Sequence, residues 1–168
     1  MKKTLITVFI ICVLLASCSR ESVDYSFLNT DKIVNDIVEN ASVEFGYCDV
    51  SEYYLQNYFG ELVGVEEAKI YACNESSNFN EFGVFKFATA KEAEKGLRFL
   101  DSYITAAKKE FENGIIYDVS EYPKFTGARA ERFGNYLIYT ILDPRESQSA
   151  FEAVKKTENK YFSHNIIF

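Results

Sequence analysis

The sequence contains no tryptophan, one methionine, two prolines and a single histidine, His164, in 168 residues. With one imidazole a histidine-rich metal centre is out of reach, and a nucleophile-histidine relay has a single residue on which it could be built. No G-x-S-x-G, H-E-x-x-H, paired C-x-x-C or glycine-rich phosphate loop occurs. Basic residues are also short: 18 Lys and Arg face 25 Asp and Glu, a net charge of -7. That balance repels phosphate backbones and removes the attraction from which nucleic-acid binding starts, so no nucleic-acid partner is expected. Long apolar runs are missing too. The longest, Leu5 to Leu15, is eleven residues interrupted only by Thr7, against the roughly 20 that a membrane helix needs. What is present, 48% hydrophobic and 26% charged residues, describes one ordinary globular domain.

The short apolar run follows Met1-Lys2-Lys3 and has no stop-transfer pattern behind it, so it reads as the core of a secretory signal peptide. Leu15-Ala16-Ser17-Cys18 then resembles the bacterial lipobox, in which an aliphatic and two small residues precede a cysteine that receives diacylglycerol. The resemblance implies cleavage before Cys18, a diacylglycerol anchor on its thiol, and a protein on the cell membrane facing outside the cytoplasm. Two acyl chains hold stably where one does so only marginally. Removing 17 of 168 residues leaves 151, with 16 basic against 25 acidic groups and a net -9. Residues 18–29 read as a polar tether and 30–168 as a single domain. Of the four cysteines, Cys12 leaves with the signal and Cys18 carries lipid. Cys48 and Cys73 remain, expected as buried free thiols without a bridge.

Thr30 and Asp31 can cap a first helix with Ile33, Val34, Ile37, Val38 and Ala41 on one face. Ser51 to Phe59, closed by Gly60, predicts a shorter second helix, both preceding the sheet. From Glu66 the period becomes two, with Ala68, Ile70 and Ala72 opposite Lys69, Tyr71 and Cys73. A polar loop, Asn74 to Asn80, leads to the strand Phe82 to Phe87. Ala93, Leu97, Leu100, Ile104, Ala107 and Phe111 then mark a long helix lying on a sheet. Arg129 to Phe133, Gly134-Asn135 and Tyr136 to Leu142 read as a hairpin whose second strand is apolar on both faces. A helix over Ser147 to Lys156 closes the chain, and the tail Tyr161 to Phe168 is apolar enough to dock. The expected fold is α+β, a small antiparallel sheet covered by helices in the order α-α-β-β-α-β-β-α.

The strand Phe82 to Phe87, the charged helix ending near Phe111, Tyr122-Pro123 and Phe133-Gly134-Asn135-Tyr136 together resemble a domain-of-unknown-function family of lipoproteins from Gram-positive anaerobes. The likeness spans about Ile33 to Val154. It implies a lipobox joined to one small domain and brings no activity.

Chemistry-bearing residues are few. Cys48 or Cys73 with His164 could form a nucleophilic pair only if folding joined them. Acidic pairs occur at Asp49 and Glu52, Glu66 and Glu67, Asp118 and Glu121, and Asp143 and Glu146, none at the spacing of a calcium loop. The segment Asn74 to Glu81 offers oxygen ligands for a hard cation, but its composition is that of a solvated hairpin loop. No cofactor or metal is expected. Tyr122 and Phe125, in the unusually apolar segment Glu112 to Gly127, either hold that segment to the sheet or project as partner-binding anchors. Two functions remain open: a non-enzymatic binding or scaffolding module that engages an envelope protein or small ligand, and a membrane-tethered hydrolase using convergent carboxylates.

Overall fold

Asn29 rather than Thr30 or Asp31 starts the first helix. Its side-chain Oδ1 accepts the Lys32 amide at 2.7 Å and its carbonyl accepts the Ile33 amide at 3.1 Å, the geometry of an N-cap. This computed structural model describes residues 25, 28–40, 46–75, 78–114 and 118–165, with side chains as far as residue 160. Cys18 and the lipobox lie outside the described residues. In α1 (Thr30–Asn40) Ile33, Val34 and Ile37 are buried, whereas Val38 is exposed, rotated off the line that Ile33 and Ile37 turn to the sheet.

A three-residue strand, β1 (Tyr47–Asp49), separates α1 from α2 (Ser51–Asn57), so one strand precedes the second helix. It is too short to display a period of two. The remaining elements are β2 (Val65–Cys73), β3 (Glu81–Phe87), α3 (Ala90–Glu112), a 3-10 turn (Val119–Glu121), α4 (Tyr122–Gly127), β4 (Arg129–Phe133), β5 (Tyr136–Ile141) and α5 (Pro144–Asn165). The fold is α+β, and the eight expected elements occur in their expected order, with β1, the 3-10 turn and α4 interposed. All strand pairs are antiparallel in the order β1-β2-β3-β5-β4.

Two layers of helix cover this sheet. On one face Phe82, Val84, Tyr136 and Ile138 pack with Ile33 and Ile37 of α1 and Ala150, Phe151 and Val154 of α5. On the other, Phe85, Phe87, Leu137 and Tyr139 pack with Ala93, Leu100 and Ile104 of α3. The long helix opens on a side-chain N-cap: Thr89 Oγ1 accepts the Glu92 amide at 3.2 Å and donates to the Glu92 carboxylate at 2.9 Å. Gly134 turns the β4–β5 hairpin at φ 61°, a left-handed conformation that favours glycine.

The folded part already includes Tyr25. Leu28 is 2% exposed, its carbonyl accepts the Tyr136 hydroxyl at 2.7 Å, and the Tyr25 hydroxyl donates to Glu158 at 2.8 Å. The packed part of the chain therefore begins before Thr30, because an aromatic and an aliphatic residue of the segment 18–29 pack on the core. The cysteine reading also changes: Cys48 is exposed and Cys73 half-buried, both unbridged. Cys48 stands opposite Ala72 and Cys73 opposite Tyr47, an offset of one residue that turns the two thiols to opposite faces.

Candidate functional site

Glu81 ends the polar stretch between β2 and β3, yet it is only 7% exposed. As the first residue of β3 its side chain alternates with Gly83, Phe85 and Phe87 toward the α3 face. Gly83 makes the room. Tyr139 stands opposite Gly83 across the β3–β5 ladder, and a Cβ there would fall 2.3 Å from the Tyr139 ring. The ring therefore crosses the bare strand, and its hydroxyl donates to Glu81 Oε1 at 2.6 Å. Tyr103 of α3 donates to the same oxygen at 2.9 Å, and Tyr54 of α2 donates to Oε2 at 2.8 Å. Three phenols from three elements thus converge on one buried carboxylate.

Burial pushes the Glu81 pKa upward, and the bonds from Tyr139, Tyr54 and Tyr103 pull it partly back. The same burial, followed by the charge of Glu81, raises the pKa values of Tyr54, Tyr103 and Tyr139. The three phenols are thereby kept protonated, and their bonds to Glu81 fix the rings. Phe59 wedges beside Tyr103 with centroids 4.8 Å apart.

This buried cluster continues to the surface. Tyr58 packs on Tyr54 at 4.9 Å and on Tyr103 at 6.3 Å, and Tyr53 lies 6.0 Å from both Tyr54 and Tyr58. Tyr53 is 57% exposed and Tyr58 49%. The Tyr58 pKa is raised, first by its hydrogen bond to Tyr53 and the charge of that ring, then by burial and by the charges of Glu81 and Glu110.

The residues singled out from sequence fall elsewhere. Phe125 is 4% exposed, its ring 5.0 Å from Phe111 and 6.0 Å from Phe79, so it is a packing residue and does not project as an anchor. Tyr122, 38% exposed, stacks on Phe111 at 5.4 Å. The loop before β3 is not simply solvated. Asn80 and Glu81 are buried, and Asn78 Oδ1 accepts from Lys124 Nζ at 2.9 Å. Lys124 also meets the buried Glu121 at 2.6 Å, and Glu121 accepts the Phe79 amide at 2.8 Å.

In three of the acidic pairs the aspartate holds a turn at a helix entry. Asp49 accepts the Ser51 amide, Asp118 the Ser120 amide and Asp143 the Arg145 amide, each at 2.9 Å. The Asp49 pKa is lowered: its burial acts the other way, but the Ser51 hydroxyl and amide bonds outweigh it. Glu66 pairs with Lys86 at 3.1 Å. The His164 side chain lies outside the described residues. Among the described residues no three His, Cys, Asp or Glu side chains group as a metal site, and no helix is long and apolar enough to cross a membrane.

Glu81, Tyr54, Tyr103 and Tyr139 were not foreseen as a site. The signals in the sequence were a glutamate heading a largely apolar strand and the tyrosine-dense stretch Tyr53 to Tyr58. No family model, curated protein or solved structure matches the chain.

Proposed function

We propose that the chain is a non-enzymatic binding module of the cell envelope, anchored outside the cytoplasm by diacylglycerol on Cys18, with the tyrosine surface over Glu81 as its binding face. The observation that carries the reading is the pair of half-exposed rings, Tyr53 and Tyr58, seated on partners that a buried carboxylate holds in place. Tyrosine is enriched in binding hot spots, and a ring fixed before binding loses little freedom on binding. The lipobox-like Leu15-Ala16-Ser17-Cys18 supports the anchor. The carboxylate-hydrolase reading has less support, because both Glu81 oxygens are engaged by phenols and Glu121 by an ammonium group.

Two measurements test this. Radiolabelled fatty acid should enter the full chain and be lost in Cys18→Ala; equal labelling of that variant contradicts the anchor. Crosslinking in intact cells should give an adduct that disappears when Tyr53 and Tyr58 are both changed to Ala, while persistence of the adduct moves the binding face elsewhere.

A further inference from the structure

Tyr25 fixes the place at which the chain enters the domain. Its hydroxyl donates to Glu158 of α5 at 2.8 Å, its carbonyl accepts the Leu28 amide at 3.0 Å, and its ring lies where a Cβ on Gly134 would fall. Gly134 and Asn135 form the β4–β5 turn, and Asn135 bonds both backbone groups of Phe87: its carbonyl accepts the Phe87 amide at 2.8 Å and its side chain donates to the Phe87 carbonyl at 2.7 Å. The entry point is therefore at the Phe87 end of the sheet. Glu81 and the tyrosine surface over it are at the other end. Six steps along β3 take Glu81 to Phe87, about 20 Å at about 3.4 Å each. α3 runs back along the same axis, from Gly96 against Phe87 to Phe111 against Ile141, the strand partner of Glu81. Its 23 residues measure about 34 Å. Seven steps join Cys18 to Tyr25, at most about 25 Å of chain at about 3.6 Å each.

We propose that this short connection turns the Phe87 end of the domain, with the Gly134-Asn135 turn, toward the lipid headgroups and holds the tyrosine surface on the far side, facing away from the bilayer. The inference rests on the Cys18 anchor proposed above and adds which surface meets the membrane and which is left for a partner. Standing the domain on its other end would lift Tyr25 by about the length of α3, beyond what the connection can reach while Tyr25 stays docked. The neighbouring residues hold it there: Leu28 is 2% exposed with its carbonyl on the Tyr136 hydroxyl at 2.7 Å, and Asn29 caps α1 directly after it. Tyr53 and Tyr58 then face a partner that approaches from outside the membrane, and lipid headgroups are not their ligand.

Two exposed valines make matched reporters for the two ends. Val63, 79% exposed, precedes Gly64, whose carbonyl accepts the Ala88 amide at 2.9 Å just past β3, and so marks the Phe87 end. Val119, 80% exposed, opens the 3-10 turn whose Glu121 accepts the Phe79 amide at 2.8 Å, and so marks the Glu81 end. The lipidated full chain with Cys48→Ser and Cys73→Ser is given one fluorophore, through Val63→Cys or Val119→Cys, and placed in phosphatidylcholine vesicles carrying a quencher on the headgroup. The acylated thiol of Cys18 does not take the label. The expected result is quenching several-fold stronger at residue 63 than at residue 119. Inserting about twenty Gly and Ser residues between Ser19 and Arg20 should abolish that difference, because such a linker adds reach without stiffness. Equal quenching at the two positions, or stronger quenching at residue 119, would overturn the proposal, and a difference that survives the insertion would overturn the short connection as its cause. A chain recovered without fatty acid overturns the Cys18 anchor and this inference with it, whereas a lipidated chain with equal quenching overturns this inference alone.

Discussion

The two faces of the sheet are built on different chemistry. Under α1 and α5 the layer is mostly aliphatic, with Ile33, Ile37, Val84, Ile138 and Val154, and its buried polar contacts are separate pairs: Thr140 with Ser147, and Tyr136 with the Leu28 carbonyl. Under α2 and α3 the layer is aromatic, and its hydroxyls converge on one carboxylate. An aliphatic layer tolerates rearrangement so long as volume is kept. A buried carboxylate with three donors tolerates very little, because each partner left behind is a buried polar group without a bond. On the second face the rings that support Tyr53 and Tyr58 are held together through one shared acceptor.

The strongest way to break this contrast is to remove the shared acceptor. Glu81→Ala should destabilise the domain by about 4 kcal/mol, since three phenols lose their partner at once, and thermal unfolding would show a drop of about 10 °C. Glu81→Leu combined with Phe at positions 54, 103 and 139 should recover most of that loss, because deleting every member of a buried polar group is far cheaper than deleting one. A quadruple variant as unstable as Glu81→Ala would show that the loss comes from packing.

Gly83→Val is the next largest. Its Cβ would collide with the Tyr139 ring, and overpacking of this kind costs about 2 to 3 kcal/mol. Urea unfolding should show it, together with altered signals for Tyr139.

A matched pair then compares the faces directly. Tyr139→Phe removes a bond to a carboxylate and should cost about 2 kcal/mol, whereas Tyr136→Phe removes one to a backbone carbonyl and should cost about 1 kcal/mol. Equal losses in chemical denaturation would erase the distinction.

A finer effect is the pH dependence. Glu81 has a raised pKa in the folded chain, so between the unfolded value, about 4.3, and the folded one the native state holds a proton that the unfolded chain has released. Its contribution to stability is therefore largest at low pH and declines as pH rises through that window. Stability against pH should be flatter in Glu81→Gln; an unchanged slope would assign it to other groups.

The smallest expected change sharpens the separation of support from surface. Tyr53→Ala with Tyr58→Ala should stay within about 1 kcal/mol of the native chain, as substitutions of exposed side chains usually do. A melting temperature well below that range would make the two rings part of the core.

Much of the architecture was legible because the long elements bury one face each. The stripe Ala93 to Phe111 and the apolar run at Tyr136 declare α3 and β5 through period alone. Elements of three to six residues, β1 and α4, carry too few positions to show a period. The docking of Tyr25 and Leu28 was illegible because nothing in either residue taken singly says that it bonds 108 residues away or more. The Glu81 site was illegible for a related reason: residues 54, 81, 103 and 139 share no spacing and meet only through the β3–β5 register and the packing of two helices. Polar neighbours disguised Glu81 as part of a loop, although the apolar strand that follows could have marked it as the first residue of a buried one.

The account turns on whether Glu81 and its three phenols act as one unit, and carbon-detected NMR titration of the Glu81 carboxyl group tests this most directly. The expected result is a midpoint clearly above the ordinary glutamate value of about 4.3, with the ring-carbon signals of Tyr54, Tyr103 and Tyr139 moving at that same midpoint. A carboxyl that titrates near the ordinary value, or three tyrosines that stay still as it does, would contradict it.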